Sequence, residues 1–304
     1  MILCIDGGTT NTRLSVLEDT TFLHEEKIAM GARAAGEDRA AFFSALHEKL
    51  ALLEKTYHPE KILASGMITS ENGLCEVPHV WAPAGKKELK AGSKTVRIPE
   101  LSDLPFILLP GVKKNAPFPE TDTMRGEETE LFGIFEQMNI HGTAAVLLPG
   151  SHGKMILTDE QTRITDVTTF LTGELLAAAA NHTILSSSVD LAETDFNDYL
   201  FDGCAYALRA GIPQTLFKVR VLEKFCGGTK KDAYSFLLGA VLSGEVAAVK
   251  EKNVSHVLIG GQTALKNAEA ALLKTFSDQT VTVVPDGIAH RAPAVGMLAI
   301  DRMA

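Results

Sequence analysis

One pattern occurs twice in this chain, and it constrains the fold more than any other feature. The apolar run ILCI (2–5) leads through Asp6 and the turn GGTTN into the half-buried stretch RLSVL (13–17). About 140 residues later, AAVLLPG (144–150), a tight SHG turn and KMILTD (154–159) repeat the plan, and RITDVTTF (163–170) follows. Apolar runs flanking a glycine-rich turn predict strand, turn, strand in each copy. No residue-by-residue repeat accompanies them, so the duplication is architectural. It predicts two α/β domains, 1–138 and 139–288, with a final helix from about 289 packing back on the first and a ligand cleft between them.

The intervening segments fill in this plan. DRAAFFSALHEKLALLEKT (38–56) has helical apolar spacing with Asp38 as N-cap, and RGEETELFGIFEQM (125–138) has glutamates in its first turn and apolar residues on one face. TGELLAAAANHTI (172–184) and the stretches about 193–211 and 231–252 are further helices. KILASGM (61–67), FILLPGV (106–112) and TVTVVP (280–285) read as strands, and SHVLIGGQTAL (255–265) as strand, glycine turn, helix. GKKELKAGSKTVR (85–97) is basic in an acidic chain and reads as a solvated loop, with a flap near an anionic substrate as the alternative.

A net charge of −9 argues against nucleic acid as a partner, since such binding rests on basic surface. No apolar run approaches the roughly 18 residues of a membrane helix, and ILCI follows Met1 without the basic start of a secretory signal. Cys4, Cys75, Cys204 and Cys226 are scattered, without CxxC spacing, as expected of reduced thiols in a cytoplasmic protein.

The turns carry the candidate chemistry. A carboxylate at the end of a buried strand, Asp6, is costly unless paired, hydrogen-bonded or bound to metal. Gly7 and Gly8 let backbone amides approach a ligand, and Thr9, Thr10 and Asn11 add side-chain donors. Together they could hold nucleotide phosphates, with Asp6 orienting Mg²⁺ through water; a plain glycine hairpin is the alternative. Gly150, Ser151, His152, Gly153 and Lys154 form a second such turn with a cation. Gly260 and Gly261 could admit a nucleoside, and Thr172 and Gly173 either cap a helix or touch phosphate. Arg125, Glu127 and Glu128 exceed what helix capping requires. Arg125 could clamp a carboxylate, and one glutamate could accept a hydroxyl proton.

In this order, DGGTTNTR, LLPGSHGK and VLIGGQTAL resemble the two phosphate motifs and the adenosine motif of the actin/hexokinase/Hsp70 superfamily. MRGEET with GMITS, PGSHGK and LTGEL resembles, more narrowly, the 2-dehydro-3-deoxygalactonokinase family over nearly the whole chain. The resemblance implies a two-domain actin-like (ribonuclease H-like) α/β fold. It also implies ATP- and Mg²⁺-dependent phosphorylation of the terminal 6-hydroxyl of 2-dehydro-3-deoxy-D-galactonate in galactonate breakdown. Asp6 would organise Mg²⁺, and Gly8, Thr9, Thr10 and Asn11 would face the transferring phosphoryl. Gly150, Ser151, His152, Lys154, Thr172 and Gly173 would hold the other phosphates, and Gly260, Gly261 and Thr263 the nucleoside. Arg13, Ser65, Gly66, Met67 and Arg125 would face the sugar acid, with Glu127 or Glu128 as general base. Two departures stand out: Gly7 where the family commonly has tryptophan, and Met155 where an aromatic residue is frequent. Expected partners are ATP and the sugar acid, with neither nucleic acid nor membrane, and a homodimer is allowed. The alternatives are a superfamily phosphatase or polyphosphate hydrolase, or an ATP-dependent sensor or assembly protein that is not an enzyme.

Overall fold

The computed structural model describes residues 1–303 apart from Thr194, Asn253 and Gln262–Ala264. The chain divides into two compact units: residues 1–142, 158–167 and 287–304 form the first, and residues 143–157 and 168–286 the second.

In the first unit, β1 (Ile2–Gly7), β2 (Thr12–Glu18) and β3 (Thr21–Ile28) run as an antiparallel meander. After α1 (Ala32–Glu37) and α2 (Arg39–Tyr57), β4 (Ile62–Gly66) returns beside β1 in parallel. Then come β5 (Val80–Trp81), α3 (Lys86–Gly92), β6 (Lys94–Ile98), β7 (Ser102–Leu108), β8 (Val112–Lys113), β9 (Thr123–Met124) and α4 (Glu127–Met138). The six-stranded sheet has the order β3-β2-β1-β4-β7-β6, and β5, β8 and β9 form a small separate sheet. Asp38 caps α2 by accepting the Ala41 amide at 3.0 Å. Phe42, Leu46, Leu50 and Leu53 lie on the buried face of that helix and join Leu3, Ile5, Leu14 and Val16 in one core.

The basic stretch is ordered structure rather than a solvated loop. It forms α3 and the edge strand β6, because Glu88 caps the Gly85 amide, Leu89 is fully buried, and β6 pairs with β7. Its lysines remain outside the core, where Lys86 pairs with Glu136 and Lys90 with Asp301.

The second sheet starts with β10 (Ala145–Leu148), β11 (Gly153–Thr158) and β12 (Ile164–Phe170), of which residues 164–167 count with the first unit, and α5 (Thr172–His182) follows. α6 (Tyr199–Ala210), α7 (Ile212–Phe225), α8 (Lys230–Glu251), β13 (His256–Ile259), α9 (Leu265–Phe276) and β14 (Thr280–Val283) complete the second unit, and α10 (Asp286–Asp301) closes the chain. The sheet order is β12-β11-β10-β13-β14. The duplication seen in the sequence is therefore one of topology. In both sheets an antiparallel hairpin (β1–β2, β10–β11) is followed by a parallel neighbour (β4, β13) on the far side of its first strand. α8 alone among the described helices has the length and apolarity to cross a bilayer, but 72% of its apolar window is buried inside the protein, as in a core helix.

Candidate active site

Asp6 occupies the end of β1, opposite Arg13 on β2 and beside Ser65 on β4. A cleft of about 190 Å³ opens there, lined by Asp6, Gly8, Thr10, Asn11, Arg13 and Lys27. Arg13 lies 3.8 Å from the Asp6 carboxylate and 3.7 Å from that of Glu25, so its charge is shared between two acids. Burial pushes the Asp6 carboxyl above the usual carboxylate range; Arg13 opposes this and Glu127 adds to it. Lys27 and Glu25 escape a reading of the sequence by motif, although they stand two apart on β3, opposite Arg13 and Ser15.

The turn that carries Thr9 and Thr10 is fixed from behind. Gly8 donates its amide to the Asn11 carbonyl at 2.9 Å, while the carbonyls of Gly8 and Thr9 accept the Ala32 and Arg33 amides of α1, both at 3.0 Å. Gly31 just before α1 lies so close to the turn that a Cβ there would sit 2.7 Å from the Thr9 carbonyl carbon and 2.8 Å from the Asn11 nitrogen. With the carbonyls turned towards α1, Thr9 and Thr10 remain exposed.

The second turn repeats this construction. Leu148 pairs with Lys154 across it, and the carbonyls of Gly150 and Ser151 accept the Gly173 and Glu174 amides of α5, at 3.1 and 3.3 Å. Gly173 matches Gly31: a Cβ there would lie 2.7 Å from the Gly150 oxygen and 2.8 Å from the Ser151 Cα. His152 pairs with Glu174 at 3.1 Å, and Lys154 is buried with its ammonium reaching the His152 carbonyl at 3.4 Å. Thr172 is also buried and donates its hydroxyl inward, to Glu245. Gly260 donates to the Leu147 carbonyl at 2.8 Å, and a Cβ on Gly261 would come within 3.2 Å of the Pro149 oxygen. The Gly150–Lys154, Thr172–Gly173 and Gly260–Gly261 segments thus meet at one end of this sheet. Thr263 lies outside the described residues.

The fold of the second candidate cluster of the first unit explains its unusual sequence. Arg125 directs four N–H groups into the loop after β4: to the Thr69 carbonyl and hydroxyl at 2.8 and 2.9 Å, to the Val77 carbonyl at 2.9 Å, and to the His79 ring at 3.2 Å. Burial, helped by Arg125 and Lys113, lowers the His79 pKa to about 4, so the ring is neutral and can accept. Glu127 takes the Arg125 amide at 2.9 Å and is half-buried. Glu128 is fully enclosed, and both its oxygens take the Gly126 amide at 2.9 Å. Burial first, then Glu127, push the Glu128 carboxyl up to about 8, against the backbone hydrogen bonds and Arg125. Ser65 is buried, with its hydroxyl 3.2 Å from that of Thr129; Gly66 is buried and Met67 half-buried.

Comparison with known proteins decides what this arrangement belongs to. A family profile described as "2-keto-3-deoxy-galactonokinase" matches residues 6–300. The chain belongs to the 2-keto-3-deoxy-galactonokinase family. Within that family, it is 32% identical over 256 residues to the "Probable 2-dehydro-3-deoxygalactonokinase DgoK1" of Rhizobium meliloti (strain 1021), covering 80% of this chain and 78% of the relative. A solved Sinorhizobium meliloti structure, provisionally described as a 2-dehydro-3-deoxygalactonokinase, superposes with a TM-score of 0.82 at 25% identity over 99% of this chain and 98% of that one. More distantly, the ADPNP-bound activator of 2-hydroxyisocaproyl-CoA dehydratase from Clostridium difficile matches 99% of this chain and 94% of its own length, with a TM-score of 0.53 at 14% identity. That likeness is one of fold, the actin-like ATPase fold. As a member of the 2-keto-3-deoxy-galactonokinase family the chain is a sugar-acid kinase, an enzyme of galactonate degradation, and the family implies ATP as phosphoryl donor.

Proposed function

We propose that the enzyme transfers the γ-phosphoryl group of ATP to the terminal (6-) hydroxyl of 2-dehydro-3-deoxy-D-galactonate. The observation that carries the site assignment is Asp6. It is a strand-end carboxylate in a small cleft, beside a turn in which the Gly8 and Thr9 carbonyls are tied to the first amides of α1. Phosphoryl transfer asks little covalent chemistry of a protein; it needs alignment and charge stabilisation. Thr9, Thr10 and Asn11 offer donors to the transferring group, and Gly150, Ser151, His152 and Lys154 offer amides, a hydroxyl and a cation to the remaining phosphates.

Of the two glutamates, Glu127 is the proton acceptor for the attacking hydroxyl. Glu128 is closed off from any ligand and holds Gly126 instead. Arg125 serves the sugar-acid side by ordering the Thr69–His79 loop, because most of its donors already point into that loop.

Among the described residues, no cluster of three or more His, Cys, Asp or Glu side chains forms a metal cage. The chemistry of the cleft suits Mg²⁺, which keeps several waters and takes phosphate oxygens as ligands: Asp6 would contact its water shell. When bound, the ion shields the triphosphate charge. An ATP-coupled assay against a panel of 2-keto-3-deoxy sugar acids, with glucose and glycerol as controls, tests the proposal. Turnover is expected with the galactonate-derived acid; phosphorylation of glucose or glycerol but of no keto acid would overturn it.

A further inference from the structure

Beneath the second turn lie two acids that the proposed reaction does not use. Glu245 on α8 and Glu269 on α9 are 2% and 0% exposed, and each is the other's acidic neighbour in the interior of this unit. Glu245 accepts the Thr172 hydroxyl through one oxygen; its other oxygen and both oxygens of Glu269 meet no donor among the described residues. Burial first, then the neighbouring Glu245, push the Glu269 carboxyl well above its ordinary range. Such a pair is expensive to enclose, and apolar side chains would fill the space at less cost.

Its position gives the reason for keeping it. Thr172 opens α5, the helix whose next two amides hold the Gly150 and Ser151 carbonyls. On the other side of the turn, the Glu245 oxygen that takes the Thr172 hydroxyl is also the nearest atom to a Cβ built on Gly153, at 2.5 Å. One carboxylate therefore holds the Thr172 arm by a hydrogen bond and lies against Gly153 in the other arm. We infer that Glu245, braced by Glu269, is the positioning residue of the Gly150–Lys154 turn, and that it sets nucleotide affinity without touching the nucleotide. This rests on the reading of that turn as a phosphate site.

Calorimetric titration of the whole protein with ADP, with no sugar acid present, tests the inference. Glu245→Ala should weaken ADP binding about tenfold, the loss expected when a charge-assisted hydrogen bond ordering a site is removed. In turnover assays the KM for ATP should rise while the KM for the sugar acid stays put. Glu269→Leu should also weaken ADP binding, and Glu269→Gln, which restores a donor to Glu245, should recover most of the loss. Should Glu245→Ala fail to fold, Thr172→Val removes only the hydroxyl and should weaken ADP in the same direction. Unchanged ADP affinity in folded Glu245→Ala or Thr172→Val, with Lys154→Met weakened, would overturn the positioning role and leave the phosphate turn standing. Unchanged affinity in all of them would overturn both. A fall in folded fraction with intact affinity in the surviving molecules would mark the pair as merely structural and also overturn the inference.

Discussion

The β1–β2 turn and the β10–β11 turn share a backbone plan and differ in the charge placed on it. In both, two successive carbonyls are tied to the first amides of a following helix, and a glycine beside that helix's start allows the close approach. The scaffold fixes both turns through backbone hydrogen bonds. Charge is then added differently. β1 carries the half-buried acid Asp6 one residue before its end, whereas β10 ends in buried Leu148, followed by buried Pro149, and Leu148 faces the buried cation Lys154 on the returning strand. On the proposed reading, backbone geometry is the anion-binding device common to both turns, and the charged residue beside each turn would decide whether it only binds phosphate or also organises what happens to it.

If that division is right, Asp6→Asn should have the largest effect: turnover should fall by about 10²–10⁴, the range for losing a positioned carboxylate, with thermal unfolding and ADP affinity little changed. Retained wild-type kcat would sink the role given to Asp6. Glu127→Gln should follow, with kcat down by about 10² and both KM values held; an equal loss in Glu128→Gln would show that the proton acceptor is misassigned.

Two glycines sharpen the comparison further. Gly31→Ala and Gly173→Ala each push a methyl group into the backbone of a turn, and each should destabilise its unit by about 1–3 kcal/mol, as overpacking does. Their kinetic signatures should part: Gly31→Ala should lower kcat, and Gly173→Ala should raise the KM for ATP. Identical signatures would mean that the two turns do the same work.

How much of this could be read from the chain alone follows from what is local. The turns, the Asp38 cap and the helix after Arg125 are legible because each depends on neighbours within a few residues. The supports are not. Lys27 reaches the cleft through register with Arg13, Gly31 matters because of a turn 20 residues earlier, and Glu245 and Glu269 meet only once α8 and α9 pack. Arg125 shows the same limit from the other side. Its sequence context suggests a substrate clamp, but the direction of a guanidinium is set by tertiary structure, and here it points to Thr69, Val77 and His79. Gly7 gains a reason as well. Ile68 fills the place of any side chain there, with its Cγ2 only 2.8 Å from where a Cβ would stand.

The smallest expected effect concerns stability and separates the two glutamates from one another. In the folded chain, burial keeps the Glu128 carboxyl protonated up to about 8, whereas in the unfolded chain it ionises near its ordinary value of 4.5. As pH rises through that interval, the unfolded state releases its proton first, so the folded state loses stability between about 4.5 and 8, and below 4.5 the penalty is absent. Glu128→Gln has no proton to lose there. At pH 5 the variant should be no more stable than wild type, since its single acceptor oxygen holds the Gly126 amide less well than two do. By pH 8.5 the gap should narrow or reverse, by an amount on the order of 1 kcal/mol or more. Denaturant midpoints at the two pH values measure this directly. Parallel pH profiles for wild type and variant would show that Glu128 is already ionised in the folded protein. An ionised Glu128 would be a second carboxylate beside Glu127 and would weaken the case for Glu127 as the lone proton acceptor.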